Sequence, residues 1–383
     1  MRGKPASPRV LHLHGSLAAA NPQAERCVRL IGAFGSGMRH TLVSADGRWS
    51  ALDAVSAGVT VERRSDFPPL SGAPLPGRLQ RIAQAMVDYH LVLTYGWGAI
   101  DAALAHTLFS KVHALAPLIH HEDGSDETPR QRARLRSAWY RRIGLGKAAG
   151  LVVPTELMEG EALARWQQPL GRVKTIPDGI DLASLGEPCG TDTIPRLVKR
   201  PGERWIACPA RAGGDEAIGA LFAALREVDP RWHLVLLGDS TATAAAQAKA
   251  SMLALDDRVH FVPRLVDPAV LIRLADIVAI AGSPEPLPFA ALQAMGARKP
   301  VVGFETGELA RSVAPDNAPF ILRPGDAGGL AVALQQLAGD EFLRRRTGEA
   351  NRERAEAERD GTACAAAYRR LYASAMGRAG SEA

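Results

Sequence analysis

A chain of 383 residues with 46% hydrophobic and 23% charged residues is too long for one ordinary core and about right for two α/β domains. Those proportions, with a mean hydropathy of −0.06, exclude a disordered, collagen-like or coiled-coil protein. The net charge is only +5 and seven of the 46 basic residues are Lys, so the Arg and Ala excess fits GC-rich bacterial coding and no nucleic-acid partner is expected.

No run of about 18 uncharged apolar residues is present, so no membrane-spanning helix is expected. The first residues, MRGKPASPRVLHLHGS, carry no apolar signal core ahead of a small-residue cleavage site, and a cytoplasmic location is expected. Cys27, Cys189, Cys208 and Cys364 stand singly, without CxxC or Cys/His spacing. Free thiols and no metal site are therefore expected.

In chain order, alternating apolar segments predict strands at 8–14, 40–47, 90–96, 116–124 and 149–155. Helical patterns lie between them at 24–36, 77–89, 98–109, 128–145 and 156–167. The Gly- and Pro-rich stretch 173–203 interrupts the alternation. It then restarts with strands at 205–211, 233–240, 259–263, 276–282, 300–304 and 319–325. Helices are predicted at 215–228, 241–254, 268–275, 288–297 and 326–338, and 342–377 reads as charged helix. The fold class expected is α/β, with two Rossmann-like domains facing across a cleft. Residues 1–182 form the first domain, 183–202 a linker and 203–341 the second. The segment 342–383 is expected to pack back toward the first domain. Neither half carries GxGxxG, GxxxxGK[ST] or GxSxG, which weighs against dehydrogenase, P-loop kinase and hydrolase chemistry.

Six segments in order then resemble one family. They are VLHLHGSL (10–17) with AER (24–26), PDGID (177–181), VLLGDS (235–240), VHFVPRLVDPAVLIRLADIVAIAGSPE (259–285), LQAMGARKPVVGFETGEL (292–309) and RPGDAGGLAVAL (323–334). Together they resemble the family 4 glycosyltransferases, retaining enzymes of the GT-B architecture. TYGWGAIDAALAHTLFSKVHALAPLIHHEDGSDE (94–127) resembles bacterial exopolysaccharide members around their His-Gly-Glu-His-Gly motif. The resemblance implies a nucleotide diphosphosugar as donor, no cofactor and no metal. It implies a glycan or lipid-linked acceptor in cell-surface polysaccharide or glycolipid synthesis.

It also assigns residues. A diphosphate needs cations and oriented N–H donors. Arg211 fits the family's diphosphate Arg, while Glu216 stands where the family has Lys. Glu285 fits the catalytic acid that contacts donor-sugar hydroxyls, with a solvated loop acid as the other open reading, and Gln293 replaces the ribose-binding Glu, keeping hydrogen-bonding capacity. Pro286-Leu287-Pro288 replaces Gly-Phe-Gly and removes two N–H donors, leaving those of Phe289 and Ala290 at a helix start. Gly238 and Glu308 complete the donor set, Glu308 ending the loop Thr306-Gly307-Glu308. Arg298 and Lys299 read better as a solvated turn than as diphosphate ligands.

On the acceptor side, Gly15 and Ser16 allow close backbone approach, with Pro22-Gln23 in place of two family glycines. His120, His121 and Asp123 end a strand, with Asp123 where related members have His. Catalytic groups and satisfied core residues are both open readings for them. Tyr95 and Trp97 read as packing or acceptor wall. Segment 130–147 holds six Arg and one Lys beside Trp139, Tyr140, Ile143 and Leu145. It is either a solvated helix with an apolar inner side or a peripheral contact for anionic lipid. The altered loops leave one further reading, a non-catalytic scaffold of the same fold. A nucleotide-sugar 2-epimerase ranks last, since its acid-rich pattern is missing.

Overall fold

The computed structural model describes residues 7–19, 21–56, 58–124, 131–209, 215–237, 240–262, 265, 268–282 and 287–377, with only the backbone of 131–136, 215 and 240–243. The chain divides into two units, Met1–Asp178 with Thr362–Ala383, and Gly179–Gly361.

Unit 1 begins with β1 (Arg9–His14), α1 (Pro22–Phe34), β2 (Arg39–Ser44), β3 (Val61–Arg63), α2 (Pro76–Ala85) and β4 (Leu91–Tyr95). It continues with α3 (Ile100–Phe109), β5 (Leu118–His121), α4 (Gln131–Gly144), β6 (Gly150–Val153), α5 (Glu156–Ala164) and β7 (Val173–Thr175). All seven strands are parallel, in the order β3-β2-β1-β4-β5-β6-β7. Helices cover both faces, which explains strands buried along nearly their whole length. On β1, Leu11 and Leu13 enter one core cluster, while Val10 and the two histidines leave the opposite face. Asn21 starts α1 by accepting from the N–H groups of Gln23 and Ala24, and Pro22 occupies the first turn. The helix thus begins at Pro22, two residues before the sequence pattern places it.

Unit 2 contains α6 (Leu182–Gly186), β8 (Arg204–Pro209), α7 (Asp215–Arg226), β9 (Trp232–Leu237), α8 (Ser240–Met252), β10 (Val259–Val262) and α9 (Ala269–Leu274). Then come β11 (Ile277–Ile280), α10 (Phe289–Gly296), β12 (Val301–Phe304), α11 (Leu309–Ser312), β13 (Ile321–Leu322), α12 (Ala327–Gly339) and α13 (Glu341–Glu358). Its six strands are parallel in the order β10-β9-β8-β11-β12-β13. Both sheets have the doubly wound order, so each reverses direction beside its first strand, at β1/β4 and at β8/β11. Helix α14 (Gly361–Ala375) returns to unit 1, burying Tyr368 and Tyr372 in the cluster that includes Val10 and Cys27.

The structure corrects the expected boundaries. Residues 183–202 are not a free linker: Leu185 and Ile194 are buried in the core of unit 2, and the Lys199 ammonium donates to Asp276 and to the Leu274 carbonyl. Gly and Pro announced irregular backbone correctly but gave no sign of this burial. The segment 342–383 is split. Helix α13 packs on α10 and α12 within unit 2, and only the part from Thr362 belongs to unit 1. Unit 1 ends at Asp178 instead of residue 182. The edge strands β3 and β7 are three residues each, too short to show alternation.

Gly303, in the middle of β12, has φ 154°, and a Cβ there would lie 2.1 Å from the Ile280 carbonyl oxygen of β11. Gly303→Ala is expected to cost about 2–3 kcal/mol, since backbone strain and overpacking act together. A urea midpoint within error of the unaltered chain would contradict this placement of β12.

Candidate functional site

The carboxyl ends of parallel strands, beside the point where strand order reverses, are where α/β sheets bind ligands. In unit 1 these ends carry the loops that follow β1, β4 and β5. Gly15 after β1 meets Gly98 after β4 backbone to backbone, and a Cβ on Gly98 would lie 2.5 Å from the Gly15 Cα. Both positions need glycine for this approach. The Ser16 hydroxyl accepts from the Ala18 N–H at 3.2 Å, closing the loop on itself.

At the end of β5 the sequence HHED is almost entirely buried. His120 is 0% exposed, and its Nδ1 lies 2.8 Å from the Thr94 hydroxyl of β4. His121 is stacked on Tyr95 with ring centroids 4.6 Å apart, and its Nε2 lies 2.8 Å from the Tyr372 hydroxyl of α14. These are the surroundings of packed core histidines. Burial, with His120 and Arg26 nearby, pushes the His121 pKa well below its ordinary value.

Glu122, also 0% exposed, receives Arg141 Nε at 2.8 Å and Nη2 at 2.7 Å. Burial disfavours its charge, but Arg141 and His120 outweigh it and lower the carboxyl pKa to about 2. The Arg141 guanidinium lies 5.1 Å from the Trp97 ring centroid and 4.7 Å from that of Trp166. Arg141 therefore points inward and leaves the basic outer side expected for 130–147, whereas Arg142, Trp139 and Ile143 stay exposed. Arg130 lies outside the described residues, as do the side chains of 131–136.

Asp123 accepts from Gln23 Nε2 at 2.9 Å, and Arg26 Nη1 lies 3.7 Å away. Arg26 makes a bidentate pair with Asp178, Nε to Oδ1 at 2.7 Å and Nη2 to Oδ2 at 2.6 Å, with Arg29 adding a contact at 3.4 Å. Burial opposes the Arg26 charge, yet Asp178 and Asp123 hold its pKa well above the ordinary value. Sequence reasoning quoted AER and PDGID only as resemblance. The structure shows Arg26 of the first pairing with Asp178 of the second. No local pattern announces a contact across 152 residues.

In unit 2, Arg211, Gly238 and Glu285 lie outside the described residues, as does Pro286. Pro288 stands at the N-cap of α10, and Phe289 and Ala290 open the helix with their side chains against the core. Gln293 is half-buried one turn later, and Glu216 is exposed in the first turn of α7. Arg298 pairs with Glu349 at 3.1 Å, both half-exposed, as a solvated turn would have it, whereas Lys299 is half-buried and burial lowers its pKa.

The loop after β12 adds a residue that the sequence left unnoticed. The Glu305 carboxylate accepts from the N–H groups of Thr306, Gly307, Leu309 and Ala310 at 2.8–2.9 Å. It thereby caps α11 in place of Glu308, which occupies the N-cap position without a side-chain cap bond. Glu308 is 7% exposed, and its Oε1 has no hydrogen-bond partner among the described residues.

Comparison with known proteins decides the family. The model for Glycosyltransferase Family 4 matches residues 25–184, and that for Glycosyl transferases group 1 matches 195–354. The chain belongs to the family 4 glycosyltransferases. One relative, the D-inositol 3-phosphate glycosyltransferase of Salinispora arenicola, is 25% identical over 67% of this chain and 61% of its own length. Another, the N-acetyl-alpha-D-glucosaminyl L-malate synthase of Bacillus anthracis, is 27% identical over 36% of each chain. The chain thus spans less than two thirds of these relatives. Among solved structures, Anabaena HepE in complex with UDP has a TM-score of 0.74 at 17% identity, covering 96% of this chain and all of that one. This likeness shows the GT-B fold.

Two predictions follow from the buried charges of unit 1. Arg141→Ala strands the Glu122 carboxylate and is expected to cost about 3–5 kcal/mol in urea unfolding; a cost below about 1 kcal/mol would contradict the buried pair. Acid should also destabilise the chain through its buried histidines. Burial lowers His14 from 6.5 to about 3 and His40 from 6.5 to about 4, so the unfolded chain takes up protons that the folded chain refuses. Their contribution is complete above pH 6.5 and falls as pH drops toward 3–4, by up to about 1.4 kcal/mol per unit for each group. Below 4.5, Glu122 adds loss in the same direction. Equal stability at pH 7.5 and pH 5 would contradict the burial of these groups.

Proposed function

We propose that the chain is a retaining glycosyltransferase that moves a sugar from a nucleotide diphosphosugar to an acceptor hydroxyl. The observation that carries this reading is the match of two family models, in order, to the two doubly wound units. In the proposed step the bond from the anomeric carbon to the phosphate oxygen breaks and a bond to the acceptor oxygen forms on the same face. The acceptor proton passes to the departing phosphate oxygen, so no protein nucleophile is required.

Arg211 and the N–H groups at the start of α10 would stabilise the diphosphate, and Gln293 would bond the ribose. Glu285 and Glu308 would accept from donor-sugar hydroxyls. The buried, unpartnered Oε1 of Glu308 supports this, because a sugar hydroxyl would supply the missing donor. His120, His121 and Asp123, held in their buried contacts, would shape the acceptor end of unit 1 together with Gly15 and Ser16. The neighbour HepE is described in complex with UDP and with UDP-glucose, which favours a uridine diphosphosugar.

The acceptor proposed is a glycan or lipid-linked hydroxyl compound of cell-surface assembly, in line with the resemblance of 94–127. The relatives are named for D-inositol 3-phosphate and for an L-malate product, both hydroxylated anions. Small acceptors of that class therefore belong in the same test. No helix among the described residues is long and apolar enough to cross a membrane. Peripheral contact through α4 is supported by exposed Trp139 and Ile143, with Arg142 5.6 Å from the Trp139 ring centroid. Cosedimentation that ignores anionic lipid content would reject that contact.

The competing scaffold reading rests on exposed Glu216, an acid where the family has a phosphate-binding Lys. Thermal shift and calorimetry with UDP, GDP, ADP, CMP and their common sugars separate the two. The enzyme reading predicts saturable stabilisation by one nucleotide, at least tenfold weaker in Arg211→Ala. Glu308→Gln should weaken the nucleotide sugar and leave the free nucleotide unchanged. A folded chain that binds no nucleotide would put the scaffold first.

A further inference from the structure

Both ring nitrogens of His14 lack a hydrogen-bond partner among the described residues, although the side chain is 1% exposed. An imidazole carries at least one N–H, and buried polar groups of this kind call for a partner. His14 lies two residues after His12 on β1, so the two rings leave the same face of the sheet. Cys27 of α1, 0% exposed, faces them, with Sγ 3.3 Å from His12 Nδ1. One ligand atom each from His12, His14 and Cys27 lie within 4.8 Å of one another.

We propose that His12, His14 and Cys27 bind a zinc ion that fastens the end of β1 to α1. Two imidazoles and a thiolate supply three of the four nitrogen and sulfur ligands that a tetrahedral zinc site takes. Bond lengths of about 2.0–2.3 Å require the ligand atoms to close by about 1 Å around the ion, within the reach of side-chain rotation. Tyr95 Oη, 3.0 Å from His12 Nδ1, stands ready as a fourth oxygen ligand. On the far side, His12 Nε2 lies 3.0 Å from His40 Nδ1. With Nε2–H donating to His40, the Nδ1 lone pair of His12 turns toward Cys27, the outer hydrogen bond that orients metal-binding histidines.

Burial keeps both histidines neutral, as zinc ligation needs, and pushes the Cys27 thiol up to about 12 in the metal-free chain. A bound cation displaces that thiol proton, so each zinc bound releases one proton to solvent. The site is sealed from solvent and does not reach substrate. Its role is to hold the loop of Gly15 and Ser16, which follows His14 directly. Spacing alone hides it, because the ligands come from a strand and a helix at positions 12, 14 and 27 with no motif between them. The proposal is independent of the transferase reading.

The test uses the full chain, free of a histidine tag, stripped with a chelator and titrated with Co²⁺ and then Zn²⁺. The expected result is one metal per chain by elemental analysis, a thiolate-to-cobalt charge-transfer band with tetrahedral d–d bands, and a zinc-dependent rise in thermal midpoint. Cys27→Ser should abolish the charge-transfer band, and His14→Phe should weaken zinc at least tenfold. Cys189→Ser should change nothing. A folded chain that shows no charge-transfer band overturns the proposal without any variant, so it stands or falls even if the substitutions fail to fold. A band that survives Cys27→Ser overturns it equally.

Discussion

The guanidinium of Arg26 is the fixed point of unit 1. It leaves α1 and meets Asp178, beyond β7, in a bidentate pair and Asp123, beyond β5, at longer range. Gln23, one turn earlier on α1, takes the other side of Asp123. Four side chains thus tie α1 to the segments after β5 and β7, reached across 100 residues by Gln23 and 152 by Arg26. Apolar packing cannot do this at the carboxyl ends of strands, where the backbone leaves the sheet and a ligand site must remain polar. The neighbouring pair of Glu122 and Arg141 works the same way, its cation held between Trp97 and Trp166. Buried charges at such a place are costly to separate and fix geometry more sharply than packing does.

In unit 2 the same demand is met by a change of partner. Glu305 takes the four N–H groups around the start of α11, and Glu308, in the position that ordinarily caps a helix, is released from that duty. Its buried oxygen turns to no described donor. One carboxylate therefore supports the loop and the other keeps an oxygen without a described donor, although the sequence Glu305-Thr306-Gly307-Glu308 shows two equivalent acids.

Most of the fold was legible because parallel strands buried on both faces read as apolar runs and the helices between them keep their period. β1, β4, β6, β10 and β12 all fall within the segments expected. What escaped was either short or non-local. The three-residue edges β3 and β7 carry almost no periodic signal. The burial of Leu185 and Ile194 depends on what those residues meet, which composition does not state. The site shows the same limit. AER, PDGID and HHED were found as segments, but their meeting around Arg26 and Arg141 is a product of topology. The His14–Cys27 approach is a product of topology too, since residues on one strand face meet whatever helix crosses it.

The measurement closest to the centre of this account is a double-mutant cycle on stability with Arg26→Met, Asp178→Asn and both together, read by urea unfolding at pH 7. If the pair ties the loops as described, the single changes do not add, and their coupling is about 1–3 kcal/mol. Additivity to within about 0.5 kcal/mol would mean that the two groups act independently. The buried network would then not be what holds the carboxyl end of unit 1.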